Sequence, residues 1–296
     1  MPAETGVRRA GVMFHSIYKP VRVFFVFACQ QKGSETMALF DISNLLFEAG
    51  GKKILNNLSF RIEKGSFTCI IGPNGAGKST LLSCMGHLNK NYGGEVLLDG
   101  KNIARMSEKE IARRIAWLHQ SGAEALPFSV REFVSLSRYP WQSFGNAGED
   151  DRRIVENAME TAGVASMSSR RLDTLSGGER QRAMLAAALA QSTDIMFLDE
   201  PASFLDYKYQ EEMLALVENI NREQGITVIC VTHDANFALH AADNILAVKN
   251  GFLVWSGDTD NLIAQNILGG LFETEFAGFE NEKHKTVCVI PKGLLR

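Results

Sequence analysis

What the 296-residue chain lacks narrows it first. No apolar run approaches the ~18–20 residues of a membrane-spanning helix. Val21-Arg22-Val23-Phe24-Phe25-Val26-Phe27-Ala28-Cys29 is apolar but short, and Arg22 interrupts it. The expectation is a chain soluble by itself that can still dock on a membrane protein. Cysteine is scarce: Cys29, Cys69, Cys84, Cys230 and Cys288 are scattered, odd in number and form no C-x-x-C pair. That points to reduced thiols in the cytosol rather than to a disulfide framework or a zinc site. Charge of one sign is missing too. A net charge of −3 argues against a nucleic-acid coat, so no nucleic-acid partner is expected. No internal repeat or low-complexity tract is present. What remains is an ordinary globular balance, 45% hydrophobic and 22% charged, in a chain long enough for a large core.

The stretch that organises this chain is Gly72-Pro73-Asn74-Gly75-Ala76-Gly77-Lys78-Ser79-Thr80. It follows Phe67-Thr68-Cys69-Ile70-Ile71, a β-branched apolar run that predicts a buried strand, and precedes Leu81-Leu82-Ser83-Cys84-Met85, which predicts a helix. Strand, glycine loop, helix is the context of a phosphate-binding loop. Glycines let the backbone curl so that several N–H groups face one centre, and the helix adds its positive end. Lys78 can reach the β- and γ-phosphates of a nucleotide, and the hydroxyl of Ser79 can ligate Mg2+.

Around this loop the pattern alternates. Strands are expected at 39–47 and 54–62, joined by a turn carrying Gly50-Gly51, then at 94–100 and 115–118. Ser107-x-x-Glu110 is a capping box before a short helix. Residues 121 to about 175 read as a helical insert, with Asp150-Asp151 before its clearest helix. An alanine-rich helix is expected at 183–190. Strands at 195–198, 226–231, 245–248 and 252–255 alternate with a helix bearing Met213, Leu216, Val217 and Ile220. The fold class is α/β: a P-loop domain with a mainly parallel sheet, an N-terminal antiparallel β subdomain and an inserted helical subdomain. Thr286 to Ile290 reads as an edge strand.

Three strand ends carry candidate chemistry. Strand 195–198 runs into Asp199-Glu200-Pro201. Asp199 would hold Mg2+ and Glu200 would polarise an attacking water. His233, after strand 226–231, could donate to the γ-phosphate, although a lone histidine is usually an ordinary core or surface residue. Gln120 ends a third strand, where an amide can touch both metal and water; spacing alone does not select it. Ser176-Gly177-Gly178 opens the alanine-rich helix. By itself it reads as a helix cap without a ligand, with backbone free to approach an anion.

Together these residues resemble the ATP-binding cassette family across residues 39 to about 260. Gly72 to Thr80 matches its Walker A motif, Gln120 its Q-loop, and Leu175 to Gln181 its signature. Ile195 to Glu200 matches the Walker B motif, Ala202-Ser203-Phe204-Leu205-Asp206 the D-loop, and His233 the switch histidine. The resemblance implies an ATPase in which two copies pair head to tail. Each ATP would lie between one phosphate loop and the partner's Ser176, Gly177 and Gly178, with Asp206 at the same interface. It also implies a membrane permease docked on the helical insert, at the cytoplasmic face of the membrane. One departure stands out: the aromatic residue expected to stack on adenine is Ala49, and Phe47 is the candidate substitute.

A finer resemblance lies in Pro127 to Val134 and in Arg138-Tyr139-Pro140-Trp141. These look like the cassettes of iron–siderophore, haem and cobalamin importers. The implied cargo is an iron complex first and cobalamin second, delivered by a periplasmic or extracellular metal-chelate binding protein. A soluble cassette of the Fe–S assembly type is the alternative reading. One P-loop and no long coiled coil argue against translation-factor and DNA-repair cassettes. Residues 1–36 read as a flexible tail or as a start codon chosen upstream of Met37; a signal peptide ending at Cys29 would carry an ATP-using domain away from ATP. The working division is 1–36, a cassette over 37–275, and a C-terminal segment over 276–296.

Overall fold

A two-residue glycine turn starts the architecture. In the computed structural model, which describes residues 38–119, 126–142, 148–203, 206–281 and 286–294, β1 (Ala38–Ala49) pairs antiparallel with β2 (Lys52–Glu63). Gly50 and Gly51 sit between them at φ 57° and 74°. Two successive positive φ values match the twist of the flanking strands, and glycine adopts them without strain. After β3 (Phe67–Ile71) and α1 (Lys78–Met85), β4 (Tyr92–Leu98) returns to the free edge of β1, and the short β5 (Lys101–Asn102) completes a sheet of order β2-β1-β4-β5. The capping box of Ser107 and Glu110 is present at α2 (Glu108–Ala112).

The second sheet is built from β3, β6 (Ile115–Leu118), β7 (Ile195–Asp199), β8 (Thr227–Thr232), β9 (Asn244–Lys249) and β10 (Phe252–Gly257), in the order β10-β9-β3-β8-β7-β6. Every pairing is parallel except β10 with β9. β3 and β8 are buried at every position because both faces are covered. On one face Phe40, Leu81, Leu82, Ile70 and Phe197 join the antiparallel sheet, α1 and the main sheet in one core. On the other, α6 (Tyr207–Gln224), α7 (Ala235–Ala241), α8 (Thr259–Ala264) and α9 (Ile267–Phe272) bury Met213, Val217, Phe237, Leu262 and Leu268.

The helical insert holds α3 (Val130–Leu136) and α4 (Glu149–Thr161). Asp150 and Asp151 lie inside the first turn of α4 rather than before it. The alanine-rich helix, α5 (Gly177–Ala190), starts six residues earlier than expected, because its cap is Ser176 and both glycines are helical. α5 faces two cores. Leu185 and Ala188 pack under the main sheet, whereas Ala183, Ala186, Ala187 and Ala190 pack against Val134, Val155 and Met159 of the insert. α5 therefore joins the insert to the main sheet. Small side chains on both faces let both neighbours come close.

Arg138 and Trp141 fasten the insert. The buried Arg138 donates to Asp151 Oδ1 (2.8 Å), Ala190 O (2.7 Å) and Ser192 Oγ (3.0 Å). Trp141 Nε1 donates to Gln191 O at 2.6 Å, and its ring lies beneath the guanidinium groups of Arg113 and Arg138. Gln191 in turn donates to Ala112 O and Ile115 O, at the start of β6.

The expected edge strand at 286–290 is present, in a two-stranded sheet apart from the main one. β12 (Thr286–Pro291) pairs with β11 (Phe276–Asn281) in a separate hairpin that packs on α7. Its partner carries Gly278, Glu280 and Asn281, which give no strand signal. Replacing Arg138 with Met should lower stability by about 3 kcal/mol, because Asp151, only partly exposed, would lose its buried cation; a chemical-denaturation midpoint within error of the parent would show that this fastening is dispensable.

Candidate functional site

The phosphate loop is shaped by close backbone contact with three neighbours. A Cβ on Gly72 would lie 2.0 Å from Val248 O of β9, so only glycine lets the chain leave β3 on this path. A Cβ on Gly77 would fall 3.0 Å from both Ile54 O and Leu55 Cδ2 of β2, and Gly77 has φ 102°. Gly251 N–H, in the β9–β10 turn, donates to Ala76 O at 3.0 Å, and Ala76 N–H closes the loop onto Pro73 O at 3.2 Å. Asn74 and Gly75 remain exposed at the loop's crest, and Thr80 is half-buried in the first turn of α1. α1 has no side-chain cap and no acidic residue in its first turn. Its N–H groups and positive end are therefore free to meet an anion.

Lys78 is almost fully buried and donates to Gly72 O (2.8 Å) and Pro73 O (3.2 Å). Burial pushes its pKa down, and the charges of Glu200 and Asp199 oppose that. Ser79 Oγ donates to Asp199 Oδ1 at 2.9 Å. Burial pushes the Asp199 carboxyl up; the Ser79 bond opposes this and the nearby Glu200 charge adds to it.

Strand β7 ends beside the phosphate loop with β8 lying between it and β3. Ile71 pairs with Thr232, and Val231 pairs with Asp199, so all three strands end at one level. α1 spans the gap and brings Ser79 to Asp199.

Glu200 takes a left-handed backbone, φ 51°, which for a non-glycine residue costs about 1–3 kcal/mol. Its N–H donates to Val231 O at 2.9 Å, continuing the β7–β8 ladder for one more residue. Ser203 Oγ donates to its Oε2 at 2.7 Å, and His233 Nδ1 lies 3.2 Å from its Oε1. Each bond to a charged group contributes about 1.5–3 kcal/mol, enough together to offset the strain. Burial pushes the Glu200 carboxyl up, but Ser203 and His233 outweigh it and hold its pKa below the ordinary range. Glu200 is thus a carboxylate at neutral pH. His233, expected to face a phosphate, meets Glu200 in this structure.

Ser176, Gly177 and Gly178 form a second cluster. Ser176 and Glu179 make a complete capping box at α5. A Cβ on Gly178 would press on the Tyr209 ring at 3.0 Å, so packing on α6 explains that glycine. A Cβ on Gly177 would meet nothing within 4 Å, so no neighbour among the described residues requires it. Gln181 Nε2 donates to Pro201 O at 3.0 Å, which links this helix to the segment after Glu200. Asp206 caps α6, its Oδ1 accepting from Tyr209 N–H at 3.1 Å. Gln120, Phe204 and Leu205 lie outside the described residues. Ala49 is exposed at the end of β1, while Phe47 is partly buried against the core. Ser203, Ile54, Val248 and Gly251 also shape the site. Ile54 and Val248 lay in expected strands, and only Ser203 lay in a stretch singled out for chemistry, there without a role.

The sequence matches the ABC transporter family over residues 55–203. It is 40% identical over 242 residues to the iron(3+)-hydroxamate import ATP-binding protein FhuC of Bacillus subtilis, covering 81% of this chain and 90% of that one. It is 36% identical over 261 residues to the ferric enterobactin transport ATP-binding protein FepC of Escherichia coli, covering 88% and 96%. Among solved structures it superposes on a dimeric ATP-binding cassette in a post-hydrolysis state bound to ADP and Pi, with a TM-score of 0.65 and 29% identity over 74% of this chain and 98% of that one. A phosphate loop, an adjoining pair of carboxylates and a helix-opening Ser-Gly-Gly, in a chain so closely related to import ATP-binding proteins, place this protein in the ABC transporter family as one of its ATP-hydrolysing subunits.

Proposed function

We propose that this cassette hydrolyses ATP to drive uptake of an iron(III)–siderophore complex through a membrane permease. The observation that carries the chemistry is the convergence of Lys78, Ser79, Asp199 and Glu200 at one sheet edge beside a backbone-braced loop. Similarity to hydroxamate and enterobactin import cassettes supports the cargo.

Loop N–H groups and the α1 terminus bind the phosphates, with Lys78 turning from its loop carbonyls to the β- and γ-oxygens. Ser79 and Asp199 offer two hard oxygen donors 2.9 Å apart beside the loop, a set that fits Mg2+. Among the described residues no group of three or more His, Cys, Asp or Glu could hold a metal alone, so nucleotide oxygens and water would complete the shell. Bound there, the ion would neutralise phosphate charge. Glu200, held ionised and in place by Ser203 and His233, orients a water and takes its proton. The open Gly177 and the capped helix behind it fit a role toward a second copy, whose bound nucleotide Ser176, Gly177 and Gly178 would grip. Gln120 and Asp206 are assigned to the same closed site. No helix among the described residues is long and apolar enough to cross a membrane, so the permease supplies the membrane path. The cassette would work at the cytoplasmic face, below a metal-chelate binding protein on the far side.

Glu200→Gln should slow steady-state ATP hydrolysis about 10²–10⁴-fold, the range for losing a general base, and leave ATP trapped in a closed pair. A variant that turned over at the parental rate would remove Glu200 from this role. Lys78→Ala should abolish ATP binding or turnover; retention of both would undo the phosphate-loop assignment. In cells lacking their own hydroxamate-import ATPase, this chain with its permease should restore uptake of ⁵⁵Fe-labelled hydroxamate siderophore, and Glu200→Gln should not. Restored uptake of cobalamin with none of iron would redirect the cargo.

A further inference from the structure

One side chain joins the end of the chain to the helix that follows His233. Asn236 is the second residue of α7. Its Nδ2 donates to Val289 O at 3.1 Å, and its Oδ1 accepts from Val289 N–H at 2.8 Å. An amide that pairs both backbone groups of one residue acts like a one-residue strand and fixes orientation as well as distance. Val289 is itself buried in the core beneath α7, so the anchor is seated.

The other end of this link is His233. β8 ends at Thr232, and α7 begins at Ala235. Asp234 between them accepts from Asn236 N–H (2.9 Å) and Phe237 N–H (3.2 Å), and its own N–H donates to Thr232 Oγ1 (3.0 Å). The His233 ring is 54% exposed and meets Glu200. Its aim therefore depends on the turn that carries it, and Asn236 holds that turn from the side of the hairpin.

We infer that Asn236 is a positioning residue for hydrolysis. Through it, β11 and β12 hold the first turn of α7, and so the His233 ring, at Glu200. This rests on the reading of His233 and Glu200 given above.

The test is steady-state ATPase kinetics on the full-length protein. Asn236→Asp keeps size and acceptor but removes the donor to Val289 O. Val289→Pro removes the N–H from the hairpin side. Each should lower kcat about tenfold, less than the ~10²-fold that a 1 Å misplacement can cost. The KM for ATP should move less than about twofold, because the phosphate grip lies elsewhere. In a His233→Ala background neither change should lower kcat further, since there is no ring left to misplace. A kcat near the parental value in both single variants would overturn the inference. So would an equal loss in both backgrounds, or a loss confined to KM. Parental turnover by His233→Ala itself would remove the underlying reading of the histidine, and this inference with it.

Discussion

The close approach of backbone to backbone at Gly72 is the constraint on which the site depends. The loop leaves β3 so near the Val248 carbonyl that a single extra carbon would collide with it. This path sends the chain across the top of the sheet rather than away from it. The following turn can then rest on Ile54 and accept from Gly251. Three elements distant in sequence thus hold in place a segment whose backbone must present N–H groups to an anion. Preorganisation of this kind matters because dipoles already aimed at an anion need not reorient when it arrives.

The same sheet edge explains how two adjacent carboxylates take different roles. Asp199 completes a strand and meets the hydroxyl of Ser79, whereas Glu200 is turned by its left-handed backbone toward Ser203 and His233. Burial presses on both, but hydrogen bonding reverses the outcome for Glu200 alone. Environments that push neighbouring acids apart mark a division of labour, with one fitted to a cation and the other to a water.

The insert and the C-terminal hairpin are attached by polar contacts with defined directions. Arg138, Trp141 and Gln191 run as a chain of donors from the insert to the start of β6, and Asn236 does the same between α7 and β12. α5 lies against two cores and reaches the segment after Glu200 through Gln181. A displacement of the insert would therefore reach the carboxylate loop through α5. That gives the proposed coupling of transport to hydrolysis a physical route.

The phosphate loop, the carboxylate pair, the capping box of Ser107, the cap at Ser176 and the buried strands were legible from residue order, because each is a local pattern whose chemistry lies within a few positions. Other features were not. Arg138-Tyr139-Pro140-Trp141 served in sequence only as a mark of a transporter group, yet its arginine and tryptophan fasten the insert. The strand at 286–290 was found, but its partner was hidden by glycine and polar residues. Ser203 sat in a recognised stretch without a role, and nothing local linked Ile54, Val248 or Gly251 to the loop. By itself, the sequence determined which backbone could curl around a phosphate and which side chains could hold metal or water. The tertiary structure alone decided which carbonyl each glycine must clear, which strand separates the loop from the carboxylates, and which neighbours turn Glu200. Those outcomes depend on contacts between segments far apart in the chain, whose register no local pattern encodes.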